Sequence, residues 1–215
     1  MIERILPDGV AAAEVFDDPP GVVLFPEEEA HVARAVAKRR AEFTAGRHCA
    51  RTALAALGFP PVAIPPGEAG SPTWPAGVVG SITHCAGYRA AAVSTDVLSV
   101  GIDAEPDLPL PAGVLGTISL AEERETLAGL GEPAGGPHWD RLLFSAKESV
   151  YKAWFPLARR WLDFTEALIR IDRDGSFSAT LLVPGPRIGG RPLTGFRGRW
   201  LADGGLLTTS VTVHR

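Results

Sequence analysis

The chain is poor in sulfur and tyrosine, with two cysteines, one methionine and two tyrosines in 215 residues. Cys49 and Cys85 are too few for a disulfide framework or a cysteine-built zinc site, which points to a reduced, cytosolic setting. A basic excess is missing too. The formal net charge is −4 at pH 7, which argues against an obligate nucleic-acid binder. No uninterrupted apolar run approaches the roughly 20 residues that span a bilayer, so no membrane segment is expected. The stretch 201–211 is broken by glycines and polar residues and reads as strand. The start, Met1-Ile2-Glu3-Arg4-Ile5-Leu6-Pro7, has no basic region followed by an apolar core, so no leader is read there and a cytoplasmic protein is expected. Sequence self-similarity is absent as well.

What is present is a globular composition, 46% hydrophobic and 21% charged. Apolar residues recur at three and four over 27–57, which predicts helix, divided at Gly46. Pro26 and three glutamates suit its first turn. Residues 60–77 read as a Pro- and Gly-rich loop with one short strand at 62–64. Strands are expected at 78–84, 88–94 and 98–102. A proline-rich junction at 106–111 divides the chain into halves at 1–105 and 106–215. Ser119 and Glu122 have capping-box spacing before a short helix to Leu130. A loop over 129–137 follows, then a strong helix over 139–155, halted by Pro156. Strands close the chain at 164–171, 177–183, 195–201 and 206–213, with a hairpin turn at Asp172-Arg173-Asp174-Gly175. This order is α+β: two similar-sized halves, each with an antiparallel sheet packed on helices.

Two segments carry chemistry. In Gly101-Ile102-Asp103-Ala104-Glu105, residues two apart in a strand point the same way, so Asp103 and Glu105 share a side. In Lys147-Glu148-Ser149-Val150-Tyr151-Lys152, residues four apart share a helix face, which pairs Glu148 with Lys152. Three carboxylates without a histidine-cysteine set suit magnesium, with manganese as the alternative. Each pair alone also reads as an ordinary strand end or a surface ion pair, and the spacing does not establish that the segments meet. Lys38, Arg39, Arg40, Arg47 and Arg51 cluster in sequence. They suit a small anionic ligand or a solvated helix face.

Together these segments resemble the 4′-phosphopantetheinyl transferases of the Sfp-like single-chain type, the actinobacterial members in particular. The motifs are Gly101-Ile102-Asp103-Ala104-Glu105, Lys147-Glu148-Ser149-Val150-Tyr151-Lys152 and Gly80-Ser81-Ile82-Thr83-His84-Cys85. Supporting matches run over about 38–165. They include Trp74-Pro75, Arg39-Arg40-Ala41-Glu42-Phe43 and Lys152-Ala153-Trp154-Phe155-Pro156.

The resemblance implies two halves related by a pseudo-twofold axis, with coenzyme A in the cleft between them. It implies transfer of phosphopantetheine from coenzyme A to a serine of an apo acyl, polyketide or peptidyl carrier protein. Adenosine 3′,5′-bisphosphate would be released. Asp103, Glu105 and Glu148 match the acidic residues around Mg²⁺, with Glu148 also the base for the carrier serine. Lys152 matches the lysine on the diphosphate, and His84 the histidine near the 3′-phosphate. Arg40, Arg47, Arg51 and Lys147 fall in stretches that contact the cofactor. A monomer is implied, with no nucleic acid and no membrane as partners. Where the family often carries Gly-Lys-Pro, this chain reads Gly70-Ser71-Pro72 and lacks that lysine. Cys85 reads as a neighbour of the site, not a nucleophile. Trp154 and Phe155 either border the pantetheine arm or pack the helix. Competing readings are another metal-dependent phosphoryl enzyme and a non-catalytic coenzyme A or carrier-binding module.

Overall fold

The computed structural model describes residues 1–131 and 136–215. In the first half, β1 (Ala11–Val15), α1 (Pro26–Val32), α2 (Ala37–Ala56), β2 (Val79–Cys85) and β3 (Tyr88–Ser94) follow a 3-10 turn at Ile2–Ile5. The strands form an antiparallel sheet in the order β1-β3-β2. Helix α2 lies on it through Cys49, Ala50, Ala53 and Leu54, which pack on Ala91 and Val93. These small residues let helix and sheet approach closely.

The second half contains β4 (Ser99–Pro106), α3 (Val114–Ile118), α4 (Ala121–Leu130), α5 (Trp139–Ala158), β5 (Ala167–Ile171) and β6 (Ser176–Leu181). After them come β7 (Arg187–Ile188), β8 (Arg191–Pro192), β9 (Gly195–Asp203) and β10 (Leu206–Val213). Five strands form an antiparallel sheet in the order β4-β10-β9-β6-β5, and β7 pairs with β8. The apolar face of α5, with Leu142, Leu143, Ala146, Val150 and Trp154, covers Ile169, Phe177, Phe196 and Leu207. The expected α+β architecture of two halves, each an antiparallel sheet on helices, is observed. The division expected after Glu105 falls at the end of β4, whose ladder partner is β10 of the second half.

Several local expectations change. The first helical stretch breaks at 33–36, not at Gly46. Gly46 stays helical because it faces Ile82, whose Cγ2 would lie 3.0 Å from an added Cβ. No strand forms at 62–64, because the backbone of Ile64 is held by side chains. Its N–H donates to Glu28 at 2.8 Å, and its carbonyl accepts from Arg47 at 2.8 Å. Glu123, not Glu122, caps α4, by accepting the Leu120 N–H. Helix α5 continues through Pro156 for two residues and ends where Arg159 turns left-handed at φ 52°. Strand β1 and helix α3 were not expected. Gly129 belongs to α4, and 132–135 of the expected loop lie outside the described residues.

The two halves repeat one buried device. Glu28 in the first turn of α1 is 0% exposed. It accepts N–H groups of Phe25 and Ile64 and an ion pair from Arg51 of α2 at 2.7 Å. Glu123 in the first turn of α4 is 1% exposed. It accepts N–H groups of Leu120 and Ile169 and an ion pair from Lys147 of α5 at 2.8 Å. In each half a glutamate ties a short helix, a neighbouring backbone segment and the long helix together.

Between the halves, β2 and β4 do not share a backbone ladder. Hydroxyls of β2 close the exposed edge of β4 instead. Ser81 Oγ accepts the Ile102 N–H at 3.1 Å, and Thr83 Oγ1 accepts the Ala104 N–H at 3.0 Å. Helix α5 crosses β4 at Gly101, where an added Cβ would lie 2.0 Å from the Ser149 carbonyl oxygen and 2.7 Å from the Ala153 nitrogen. Ser99 Oγ fastens the same crossing by donating to the Ala153 carbonyl at 2.7 Å.

Gly101→Ala is therefore expected to cost about 3 kcal/mol or more in urea unfolding, since backbone must move to admit the methyl. Gly116→Ala, with no atom within 4 Å of the added Cβ, is the control and keeps its midpoint. An unshifted Gly101→Ala midpoint would refute the close crossing. Lys147→Met leaves Glu123 buried without its counter-ion. It is expected to cost about 3–5 kcal/mol in the same measurement, and a loss below about 1 kcal/mol, the size expected of an exposed ion pair, would contradict that role.

Candidate active site

The crossing at Gly101 brings the two acidic segments together beside a cleft of about 580 Å³ that Glu148 and Lys152 line. Asp103 is 5% exposed. Its Oδ1 accepts from Lys152 Nζ at 2.7 Å and from Thr83 Oγ1 at 3.2 Å. Its Oδ2 is buried with no hydrogen-bond partner among the described residues. Lys152 also donates to the Ile102 carbonyl at 3.1 Å, so it turns to β4. Glu105 is bound by Arg141 at 3.0 Å, and Arg141 also holds the Leu108 and Pro109 carbonyls. Burial, then the nearby Asp103 charge, raises the Glu105 carboxyl above its ordinary range. Glu148 lines the cleft. Burial raises its carboxyl, Lys152 opposes the shift and Asp103 adds to it.

Among the described residues, no three His, Cys, Asp or Glu side chains converge into a finished metal cage. The donors nevertheless suit a hard cation. One buried carboxylate oxygen lacks a partner, and two neighbouring carboxyls are raised by burial and by a like charge. A divalent ion relieves all three strains, and magnesium needs only one or two carboxylates when substrate phosphates and water complete its shell.

The other wall of the cleft comes from the first half and carries Arg39 and Arg47 beside Glu42 and Glu68. Arg39, Phe43, Gly46 and Arg47 line it, at the spacing of one face of α2. Arg47 is buried, stacks on Phe43 at 3.9 Å and donates to the Ile64 carbonyl. Burial lowers its guanidinium to about 10, which leaves it charged at neutral pH. His84 accepts from Arg39 at 2.9 Å through Nε2, since an arginine can only donate, so the ring proton is on Nδ1. Glu42 stands 3.7 Å from that Nδ1. Burial first, then the charges of Arg39, Lys152 and Arg89, lower the His84 pKa against the pull of Glu42. Arg159 and the loop containing Gly67, Gly70 and Ser71 close the far end.

Of the residues expected at the site, Glu148, Lys152, His84 and Arg47 line the cleft, and Asp103 is joined to it through its bond to Lys152, with Glu105 two residues on along β4. Three residues expected at the cofactor are engaged elsewhere. Arg40 is exposed and makes a two-bond pair with Glu29 at 2.6 and 2.7 Å. Arg51 and Lys147 are the counter-ions of Glu28 and Glu123, and Lys147 also donates to the Phe164 carbonyl at 2.6 Å. Arg39, Arg159, Arg141 and Thr83 were missed as site residues. Helical spacing could have found Arg39, four before Phe43 and eight before Arg47. Nothing local marks the others.

Cys85 is pushed up to about 12 by burial and by Glu105 and Asp103, which disfavours its thiolate. Trp154 is fully buried in the core, whereas Phe155 borders the cleft. No described helix is long and apolar enough to cross a membrane.

Comparison with known proteins agrees with this geometry. Residues 27–94 match the 4′-phosphopantetheinyl transferase N-terminal domain, and residues 99–191 match the 4′-phosphopantetheinyl transferase superfamily. The chain is 56% identical to the 4′-phosphopantetheinyl transferase Svp of Streptomyces mobaraensis, over 99% of this chain and 89% of that protein. It is 53% identical to the transferase Npt of Nocardia iowensis, over 97% and 98%. The transferase PptT of Mycobacterium tuberculosis is 49% identical, over 99% and 98%. Aligned end to end with these enzymes, and with a cleft lined by Arg39, Arg47, Lys152 and Glu148, this protein is a member of the 4′-phosphopantetheinyl transferase superfamily.

Proposed function

We infer that this chain carries out its family's reaction, moving 4′-phosphopantetheine from coenzyme A to a serine of an apo carrier protein. The observation that carries the residue assignment is the buried Asp103 oxygen without a partner, on a carboxylate held by Lys152, which lines the cleft with Glu148, Arg39 and Arg47. We assign Asp103, Glu105 and Glu148 to a Mg²⁺ ion. When bound, the ion neutralises charge that builds on the diphosphate during transfer.

The chain's own groups do the rest. Arg39, Arg47 and His84 hold the nucleotide phosphates, with Arg159 at the rim. Lys152 is a point charge on a long stem, within reach of both Asp103 and the cleft, and it supports the phosphate on which the leaving group's charge collects. Glu148 takes the proton of the carrier serine. Its buried carboxyl, raised toward neutrality, is better matched to that exchange than an exposed glutamate. The serine oxygen bonds to the β-phosphorus as the bond to the nucleotide's bridging oxygen breaks. Adenosine 3′,5′-bisphosphate departs. Carriers of polyketide, peptide, siderophore and fatty-acid assembly are the acceptor class, and a cytoplasmic monomer is the working form.

Intact-mass measurement tests the reaction. Apo carriers incubated with coenzyme A and Mg²⁺ are expected to gain one phosphopantetheine. A chelator abolishes the gain, and Glu148→Gln slows it by about 100–10,000-fold. Coenzyme A bound tightly with no gain on any carrier would assign the chain to the binding-module reading. Arg39→Ala is expected to raise the KM for coenzyme A by about 10–100-fold, the worth of a charge-assisted contact, while Arg40→Ala leaves it unchanged. The reverse pattern would move the cofactor to the other face of α2.

A further inference from the structure

We propose that Thr83 is a positioning residue for the reaction, fixing the Asp103 carboxylate in the one rotation that leaves Oδ2 free for the ion. The inference rests on the reading of Asp103 as a metal ligand and goes beyond it to what orients that ligand.

Thr83 is 2% exposed, so its hydroxyl is not available to solvent. A hydroxyl has one proton to give. The Ala104 N–H, 3.0 Å away, occupies it as an acceptor, and its proton is then directed to Asp103 Oδ1 at 3.2 Å. Lys152 reaches the same oxygen at 2.7 Å. Both donors sit on Oδ1, and Oδ2 has none. This one-sided arrangement fixes the plane of the carboxylate and leaves one oxygen without a donor.

The two donors are not equivalent. Lys152 is on a flexible stem at the cleft and is the group assigned to the incoming diphosphate. When it moves to that phosphate, Asp103 loses its stronger tether. Thr83 does not move, because it lies in β2 and its oxygen also closes the edge of β4. It is the donor that remains while the site is loaded. The same hydroxyl places the backbone, through Ala104, and the side chain, through Asp103, so strand position and ligand orientation are set at one atom. Ser81 makes only the backbone contact, at Ile102, and carries no such role.

Mn²⁺ binding in the presence of coenzyme A, followed by electron paramagnetic resonance, provides a readout independent of turnover. Thr83→Val is expected to weaken Mn²⁺ by about 10–100-fold, the usual effect of removing a group that orients a metal ligand. Thr83→Ser restores both hydrogen bonds and the affinity. In assays, the Mg²⁺ concentration for half-maximal rate rises in Thr83→Val. Its rate at saturating Mg²⁺ recovers, which a general loss of folded protein would not produce. Asp103→Asn runs beside it. If Asp103→Asn loses Mn²⁺ and Thr83→Val binds it as the parent does, the positioning role is overturned. If neither variant changes Mn²⁺ affinity, the assignment of Asp103 as a ligand fails first. Should Thr83→Val show no melting transition, Thr83→Ala is measured in its place with the same expected and overturning results.

Discussion

The site depends on one close contact, the passage of α5 over β4 at Gly101. An added Cβ there would lie 2.0 Å from the Ser149 carbonyl oxygen, so only glycine permits the approach. Glu148 and Lys152 sit on the turns of α5 that flank this point, and Asp103 follows it by two residues on β4. Any widening of the crossing would carry Lys152 away from Asp103 and Glu148 away from the cleft. The glycine of the Gly-Ile-Asp-x-Glu segment is thus a geometric requirement of the chemistry, although it touches no ligand itself. Ser99 and the hydroxyls of β2 hold β4 from its two sides, so the strand that carries the carboxylates is fixed by helix, sheet and hydroxyls at once.

Charge is divided between the lobes. The second half supplies the carboxylates with Lys152 and Arg141 on them, and the first supplies Arg39, Arg47 and His84. Arg51 lies one helical turn from Arg47 and Lys147 directly precedes Glu148, yet both serve a different purpose. Each is the counter-ion of a buried glutamate that fastens a short helix to the long one. Leaving such a glutamate without its cation is costly, so these two charges are committed to the fold. The repeat of this device in the two halves gives the pseudo-symmetry a physical content that the sequence hides, because one half uses arginine and the other lysine.

Much of the fold was legible because it rests on short-range pattern. The strand pairing of Asp103 with Glu105 follows from period two, the face of Glu148 and Lys152 from period 3.6, and the β5–β6 turn from Asp172 to Gly175. What could not be read depends on contacts between distant segments. The run 62–64 has strand composition, yet its backbone groups are taken by Glu28 and Arg47, so no ladder forms. Five basic residues in 38–51 look alike in sequence. Only the burial of Glu28 and the exposure of Glu29 decide that Arg51 and Arg40 turn away while Arg39 and Arg47 face the cleft. Thr83 sat inside a recognised motif, but its partner twenty residues on is visible only once β2 lies against β4.

The site proposed for the ion has few converging protein donors among the described residues, and that bears on binding order. Three carboxyl groups, two of them raised by burial and by the charge of Asp103, would repel a diphosphate that arrived alone. An ion that arrived alone would find few converging protein ligands, since no three-donor group is formed among the described residues. Each therefore supplies what the other lacks. Held by the residues assigned to it, the ion would cancel the carboxylate field for the phosphates, and phosphate oxygens would supply the ligands the protein lacks. By linkage, whatever affinity coenzyme A gains from the ion, the ion gains from coenzyme A. Lys152 and Arg141 keep the empty site from carrying its full negative charge, and their long stems allow that support to be withdrawn when ion and phosphate enter together. The rigid elements in this design are the carboxylates, set by backbone crossings and Thr83, while adaptability is left to the cations.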